Sequence, residues 1–157
     1  MEQQRNKRMW PYILLAAAIL CGYWYLRNRP RTSQSLTTED VVAEMQSRAQ
    51  LAVTDAKGGF NVVLDFSPNS VESLESVLAQ IHDSHAANPI PDAELNRHAL
   101  KWGGYIGEVI KRVRTAEWKL DSDVGGDASL PIVYDDNSES FPVRWCYKRI
   151  VNGAEDN

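Results

Sequence analysis

The chain is poor in the features that announce a chemistry. It has only two cysteines. Cys21 lies in an apolar run and Cys146 stands alone near the C-terminus, so no disulfide can staple the C-terminal part and no cysteine pair offers itself to a metal. No glycine loop follows a strand to cradle phosphate, there is no nucleophile elbow, and no motif calls for a cofactor. Positive charge is scarce beyond residue 31, where eleven Lys/Arg face twenty Asp/Glu, a formal charge of −9. An acidic surface gains nothing from phosphate attraction, which argues against nucleic acid; it allows a basic protein partner, and a solvated surface that keeps the domain in solution explains most of the charge as well.

What the chain has is one long apolar run, residues 9–26 (MWPYILLAAAILCGYWYL), between Arg8 and Arg27. As a helix it covers roughly 27 Å, close to a hydrocarbon core of about 30 Å, and this predicts a transmembrane anchor inserted in the lipid bilayer. Trp10 and Tyr12 at one end and Tyr23, Trp24 and Tyr25 at the other suit the headgroup level. A cleaved signal peptide fits less well, because cleavage after Ala18 leaves Ile19, Leu20 and an aromatic triplet as a new N-terminus. Leu20 is bulky where lipoprotein processing before Cys21 needs a small residue. Residues 1–8 then form a basic tail and residues 27–34, broken by Pro30, a linker. Residues 35–157 have the length of one ordinary domain. Arg5, Lys7 and Arg8 are matched by Arg27, Arg29 and Arg31, so the positive-inside rule is nearly silent. The short tail with its free amine favours N-terminus inside, with the domain across the membrane.

Within the domain, Thr37 with Asp40 three residues on resembles a capping box. Val41, Val42, Met45, Ala49, Ala52 and Val53 continue at helical spacing, predicting a helix over 38–56 that Lys57, Gly58 and Gly59 stop. Alternation of Phe60, Val62, Leu64 and Phe66 predicts a strand over 60–66. Asn69 or Ser70 caps a second helix with Val71, Leu74, Leu78 and Ile81 on its apolar face. Pro89 and Pro91 interrupt before a third helix over 92–114, which carries Leu95, Ala99, Trp102, Ile106, Val109 and Val113 on one side. Gly103, Gly104 and Gly107 inside it cost helix propensity, which predicts a close approach by another element, with Trp118 best placed to fold back. Short strands at 118–120, 130–134 and 141–143 are expected to pair with the 60–66 strand. A terminal helix carrying Val143, Tyr147, Ile150 and Val151 should stop at Asn152-Gly153. The fold class is α+β: three or four helices packed on a short, mainly antiparallel sheet.

Leu64-Asp65-Phe66 with Ser70 and Leu74, then Trp102-Gly103-Gly104-Tyr105-Ile106-Gly107-Glu108-Val109, Trp118, Lys148-Arg149, Asn152-Gly153 and Glu155-Asp156, together resemble a family of small bacterial α+β domains of unknown function. The resemblance spans roughly residues 60–157. Where the family has glycine before the tryptophan, this chain has Thr115, Ala116 and Glu117. The resemblance implies no activity, but it implies that Trp102, Tyr105, Gly107, Glu108 and Trp118 belong together around one feature, and these five form the candidate binding set. Together with the predicted span and its orientation, a bacterial family makes the expected location the bacterial inner membrane, single-pass, with the C-terminal domain periplasmic or extracytoplasmic.

Two groups compete for a chemical role. Glu108, three residues after Tyr105, could be a buried general acid or base bonded to a tyrosine or tryptophan. Its plainer readings are a carboxylate holding the Lys148-Arg149 end, or an exposed Glu paired with Arg112. His82 and His85 at the end of one helix, with His98 on the next, could gather round zinc, though a polar helix end explains them as well. Cys146 reads as a small core hydrophobe. The expected function is that of a membrane-anchored protein-interaction domain, of the kind that neutralises a toxin delivered by neighbouring cells. The alternative is a small membrane-tethered hydrolase or metal-dependent enzyme using Glu108 or the three histidines.

Overall fold

The computed structural model describes residues 37–156. The expected span at 9–26, the tail and the linker lie outside the described residues. Among the described residues no helix is long and apolar enough to cross a membrane. Their order is helix α1 (Thr38–Phe60), α2 (Ser70–Ala87), α3 (Asp92–Val113), strands β1 (Ala116–Trp118), β2 (Ile132–Tyr134) and β3 (Glu139–Ser140), helix α4 (Pro142–Asn152) and a closing 3-10 turn (Gly153–Asp156). The class is α+β, with four helices and a small antiparallel sheet of order β1-β2-β3. Trp118 pairs with Ile132, and Ile132 with Ser140.

α1 begins as the sequence predicts. The Asp40 N–H donates to Thr37 Oγ1 at 3.2 Å and the Thr37 N–H donates to Asp40 Oδ2 at 2.9 Å, a reciprocal box that satisfies two of the free amides of the first turn. It does not stop at Lys57. Gly58 and Gly59 stay helical, and Asn61 ends the helix in the left-handed region at φ 54°, its N–H donating to Ala56. Asparagine tolerates that conformation better than most residues, so the terminator lies two residues beyond the glycines.

The strand expected over 60–66 is therefore absent, and with it the pairing to the other strands. Its apolar residues are buried one by one by helices. Phe60 meets the edge of Trp102 with centroids 6.0 Å apart, Leu64 is buried, and Phe66 stacks on Tyr105 at 4.8 Å. Val63, on the other side of the segment, is 73% exposed. Alternation here marks a one-sided connector, which carries the same pattern as a half-buried strand.

The expectation for 141–143 also fails. Pro142 has its φ fixed for the first helical turn and lacks an amide hydrogen to waste there, so α4 starts at that residue and the third strand is Glu139–Ser140. The other two strands shift towards their outer ends, although Lys119 N–H to Pro131 O (3.0 Å) and Leu130 N–H to Leu120 O (3.1 Å) carry the ladder inward. α4 ends as expected, with Gly153 at φ 76°.

The helices pack chiefly on one another and only secondarily on the sheet, with α3 between α1 and α4. The larger core joins Leu74, Leu78, Trp102, Tyr105 and Ile150 from three helices, and a smaller one seats Trp118 and Ile132 against Val41 and Met45 of α1.

Candidate functional site

The three glycines of α3 admit three different neighbours. An added Cβ would lie 2.5 Å from the Val143 Cα of α4 at Gly103, and 3.0 Å from the Met45 carbonyl oxygen of α1 at Gly104. At Gly107 it would collide with the six-membered ring of Trp118 at its Cζ2 edge, 2.6 Å from Cη2 and 2.8 Å from Cε2. Close approach offsets the lost propensity, as the sequence predicts: Gly103 and Gly104 admit backbone of α4 and α1, and Gly107 admits the Trp118 side chain.

The position of Glu108 depends on the same ring. Trp118 is fully buried and its indole N–H donates to Glu108 Oε1 at 3.0 Å, while Lys111 Nζ donates to the same oxygen at 3.0 Å. The side chains of Glu108 and Lys111 are 15% and 21% exposed. A charge-assisted bond thus fixes the ring that occupies the Gly107 notch. Of the partners weighed from sequence the tryptophan is the one found, and neither Arg112 nor the Lys148-Arg149 end holds Glu108. Arg112 instead lies over the Phe66 ring at 3.8 Å. Arg149, buried in α4, is ion-paired through Nε with Glu75 of α2, a partner that nothing in the linear spacing indicates.

Tyr105 does not join Glu108. Its hydroxyl accepts the Phe66 N–H at 2.8 Å and lies 2.5 Å from Ser70 Oγ. Ser70 donates to the Ser67 carbonyl at 2.6 Å, which leaves Tyr105 to donate to Ser70. This closed set pins the connector before α2. Trp102 is fully buried, its ring beneath Lys101 Nζ at 4.6 Å, and its indole N–H has no acceptor among the described residues. Lys101 is ion-paired with Asp55 of α1 at 2.6 Å. Of the five residues of the candidate set, Gly107, Glu108 and Trp118 meet in one contact between α3 and β1, whereas Trp102 and Tyr105 serve others.

The histidines are not brought together. His82 Nδ1–H donates to the Ile150 carbonyl at 2.8 Å, and His85 Nδ1 accepts the Ile90 N–H at 3.0 Å. His98 Nδ1 is buried without a partner, and burial, aided by Lys101, holds its ring below the usual histidine value. Among the described residues no three His, Cys, Asp or Glu side chains form a group that could hold a metal. Cys146 is fully buried, and burial with Glu75 nearby pushes its thiol well up, the setting of an inert cysteine.

Three surfaces among the described residues bear most directly on function. Glu108 and Arg112 border a cleft of about 510 Å³ with Phe66 and the α1 residues Gln46 and Gln50. A groove of about 500 Å³ lies between α3 and α4, lined by Ile106, Ile110, Phe141 and Trp145, where the sequence predicts none. Its signal is half-present in the apolar α3 stripe, which continues past what the core needs. Between residues 117 and 136 six acids are exposed against a single lysine, Lys119. Asp121 accepts the Ala128 N–H and Asp136 the Ser138 N–H, so these two shape their loops, whereas Asp123, Asp127 and Asp135 have no bonded partner among the described residues. Comparison with protein-family models, with curated proteins and with solved structures gives no match to this chain.

Proposed function

We propose that the chain is a membrane-anchored protein-interaction domain, held by residues 9–26 as a single-pass span of the bacterial inner membrane with its C-terminal domain on the periplasmic side. Kinship with the small bacterial α+β domains it resembles is part of the same proposal. The observation that carries the reading is where the polar chemistry is spent. Tyr105, Glu108 and Trp118 are committed to internal hydrogen bonds, while Asp123, Asp127 and Asp135 point their charge at solvent. A surface of this kind steers a basic partner and fixes its orientation. An acidic, tethered domain without catalytic motifs fits an immunity role, capture of a delivered toxic protein at the membrane.

The test is the affinity of the full-length chain, in nanodiscs, for a basic toxin-like protein encoded beside it. Neutralising Asp123, Asp127 and Asp135 to Asn should remove about 0.5 kcal/mol per exposed pair, roughly a tenfold loss in total, concentrated in the association rate. Unchanged affinity and salt dependence would overturn the acidic face as the contact. A second reading, a hydrolase using Glu108, is favoured by the cleft that Glu108 shares with Arg112.

A further inference from the structure

The groove between α3 and α4 has two distinct linings. Ile106, Ile110, Phe141 and Trp145 are only half-buried and line a solvent-open groove of about 500 Å³, within the usual span of roughly 300–1,000 Å³ for ligand sites. Arg144 and Lys148 complete it, both exposed and one turn apart on the same face of α4. Arg144 makes no ion pair with any described residue, and Lys148 adds a second positive charge beside it. Two cations beside an apolar lining are unexpected in a domain with nearly twice as many acids as bases. The third charge, Glu139, lies before the N-terminal end of α4 and accepts the Ser122 hydroxyl.

We propose that this groove receives the C-terminal end of a partner polypeptide. The last residue's large apolar side chain enters the Ile106, Ile110, Phe141 and Trp145 lining, and its terminal carboxylate pairs with Arg144 and Lys148. A chain end presents a carboxylate one residue-length from an apolar side chain, and Arg144 adjoins Trp145 in the same way. Guanidinium matches carboxylate in a two-point geometry, and tryptophan and arginine are the side chains that most often dominate protein interfaces. Glu139 sets the direction, since a carboxylate at that end of the groove would meet its charge. The inference rests on the reading of the domain as a protein-binding module, but it uses residues other than the acidic loops.

The probe is a fluorescein-labelled hexapeptide ending in Leu-Phe with a free carboxylate, titrated by anisotropy against the full chain in nanodiscs. The same peptide as its C-terminal amide should bind about tenfold more weakly, and Arg144→Glu should remove that preference. Lys148→Glu should weaken the acid form while leaving the amide unaffected. The Asp123, Asp127 and Asp135 triple Asn variant should bind the peptide as the wild type does, which separates this groove from the acidic face. Equal binding of acid and amide, indifference to Arg144→Glu, or no binding up to about 1 mM would overturn the proposal. Stronger binding of decanoate than of the peptide would overturn the polypeptide as occupant in favour of a free amphiphile.

Discussion

Gly107→Ala should destabilise the domain even though alanine is the better helix former. Propensity alone favours alanine by about 1 kcal/mol. Against this, the new methyl would sit 2.6 Å from Trp118 Cη2 and 2.8 Å from Cε2, and closer still to Cζ2. The ring cannot simply retreat, because Trp118 is fully buried against Val41, Met45 and Ile132 and its N–H is tied to Glu108 at 3.0 Å. Overpacking costs about 1–3 kcal/mol, and loss of a hydrogen bond to a charged group about 1.5–3 kcal/mol more if the ring swings away. With the propensity gain deducted, the net loss is about 1.5–5 kcal/mol when the ring is displaced. Gly58→Ala and Gly59→Ala supply the control of opposite sign. An added Cβ meets nothing within 4 Å at either position, so each should stabilise by about 0.5–1 kcal/mol. Urea unfolding of residues 32–157, followed by tryptophan fluorescence, measures all three. A Gly107→Ala variant as stable as Gly58→Ala would refute the seating of Trp118 in the α3 notch.

Glu108→Gln should lower stability by about 1–2 kcal/mol through the weakened indole and Lys111 bonds and leave partner capture intact in the folded variant. A fully stable variant that loses a hydrolytic turnover present in the wild type would place Glu108 in an active site instead. Arg149→Met should cost about 3 kcal/mol or more by leaving Glu75 beside a buried interior, and adding Glu75→Leu should recover part of it. A double variant no more stable than the single one in the same urea series would contradict that pairing. Hydrogen bonds from the Thr37 amide and hydroxyl hold the Asp40 carboxyl below its ordinary value, so its contribution is complete above that value and is lost as pH falls through the lowered one. The stability gap between wild type and Asp40→Asn should therefore close in acid, and a gap independent of pH would contradict the cap.

Periodicity locates what local chemistry controls. The Thr37 and Asp40 box, the proline break before α3 and the Gly153 stop each depend on residues within a turn of one another and stand where the sequence places them, and the α3 stripe holds at Leu95, Ala99, Trp102 and Val109, while Ile106 is half-buried and Val113 is exposed. The 60–66 segment imitates a strand because its residues alternate in burial for a tertiary reason, with Phe60 on Trp102 and Phe66 on Tyr105, across more than 35 residues of chain. The end of α1 lies beyond the glycines because exposed helical glycines cost little when the flanking turns are packed and Asn61 supplies the stop. At the site, the glycine pattern foretells close approach and Trp118 as its agent. It does not tell that Glu108 serves Trp118 while Tyr105 serves Ser70, because three-residue spacing sets two side chains near one another without fixing their partners. The Glu75–Arg149 pair comes from the crossing of helices distant in sequence and is not legible in it, and the α3–α4 groove is legible only in its α3 half, through Ile106.

The proposed display of the acidic domain across the membrane gives both binding proposals their setting, and a topology reporter fused after Asn157 of the full-length chain tests it most directly. Activity of a periplasm-dependent reporter, with the fusion in the membrane fraction and released as a soluble folded domain when residues 1–31 are deleted, is the result expected. Activity of a cytoplasm-dependent reporter, or recovery of the full-length chain in the soluble fraction without detergent, would contradict the anchored, outward-facing arrangement.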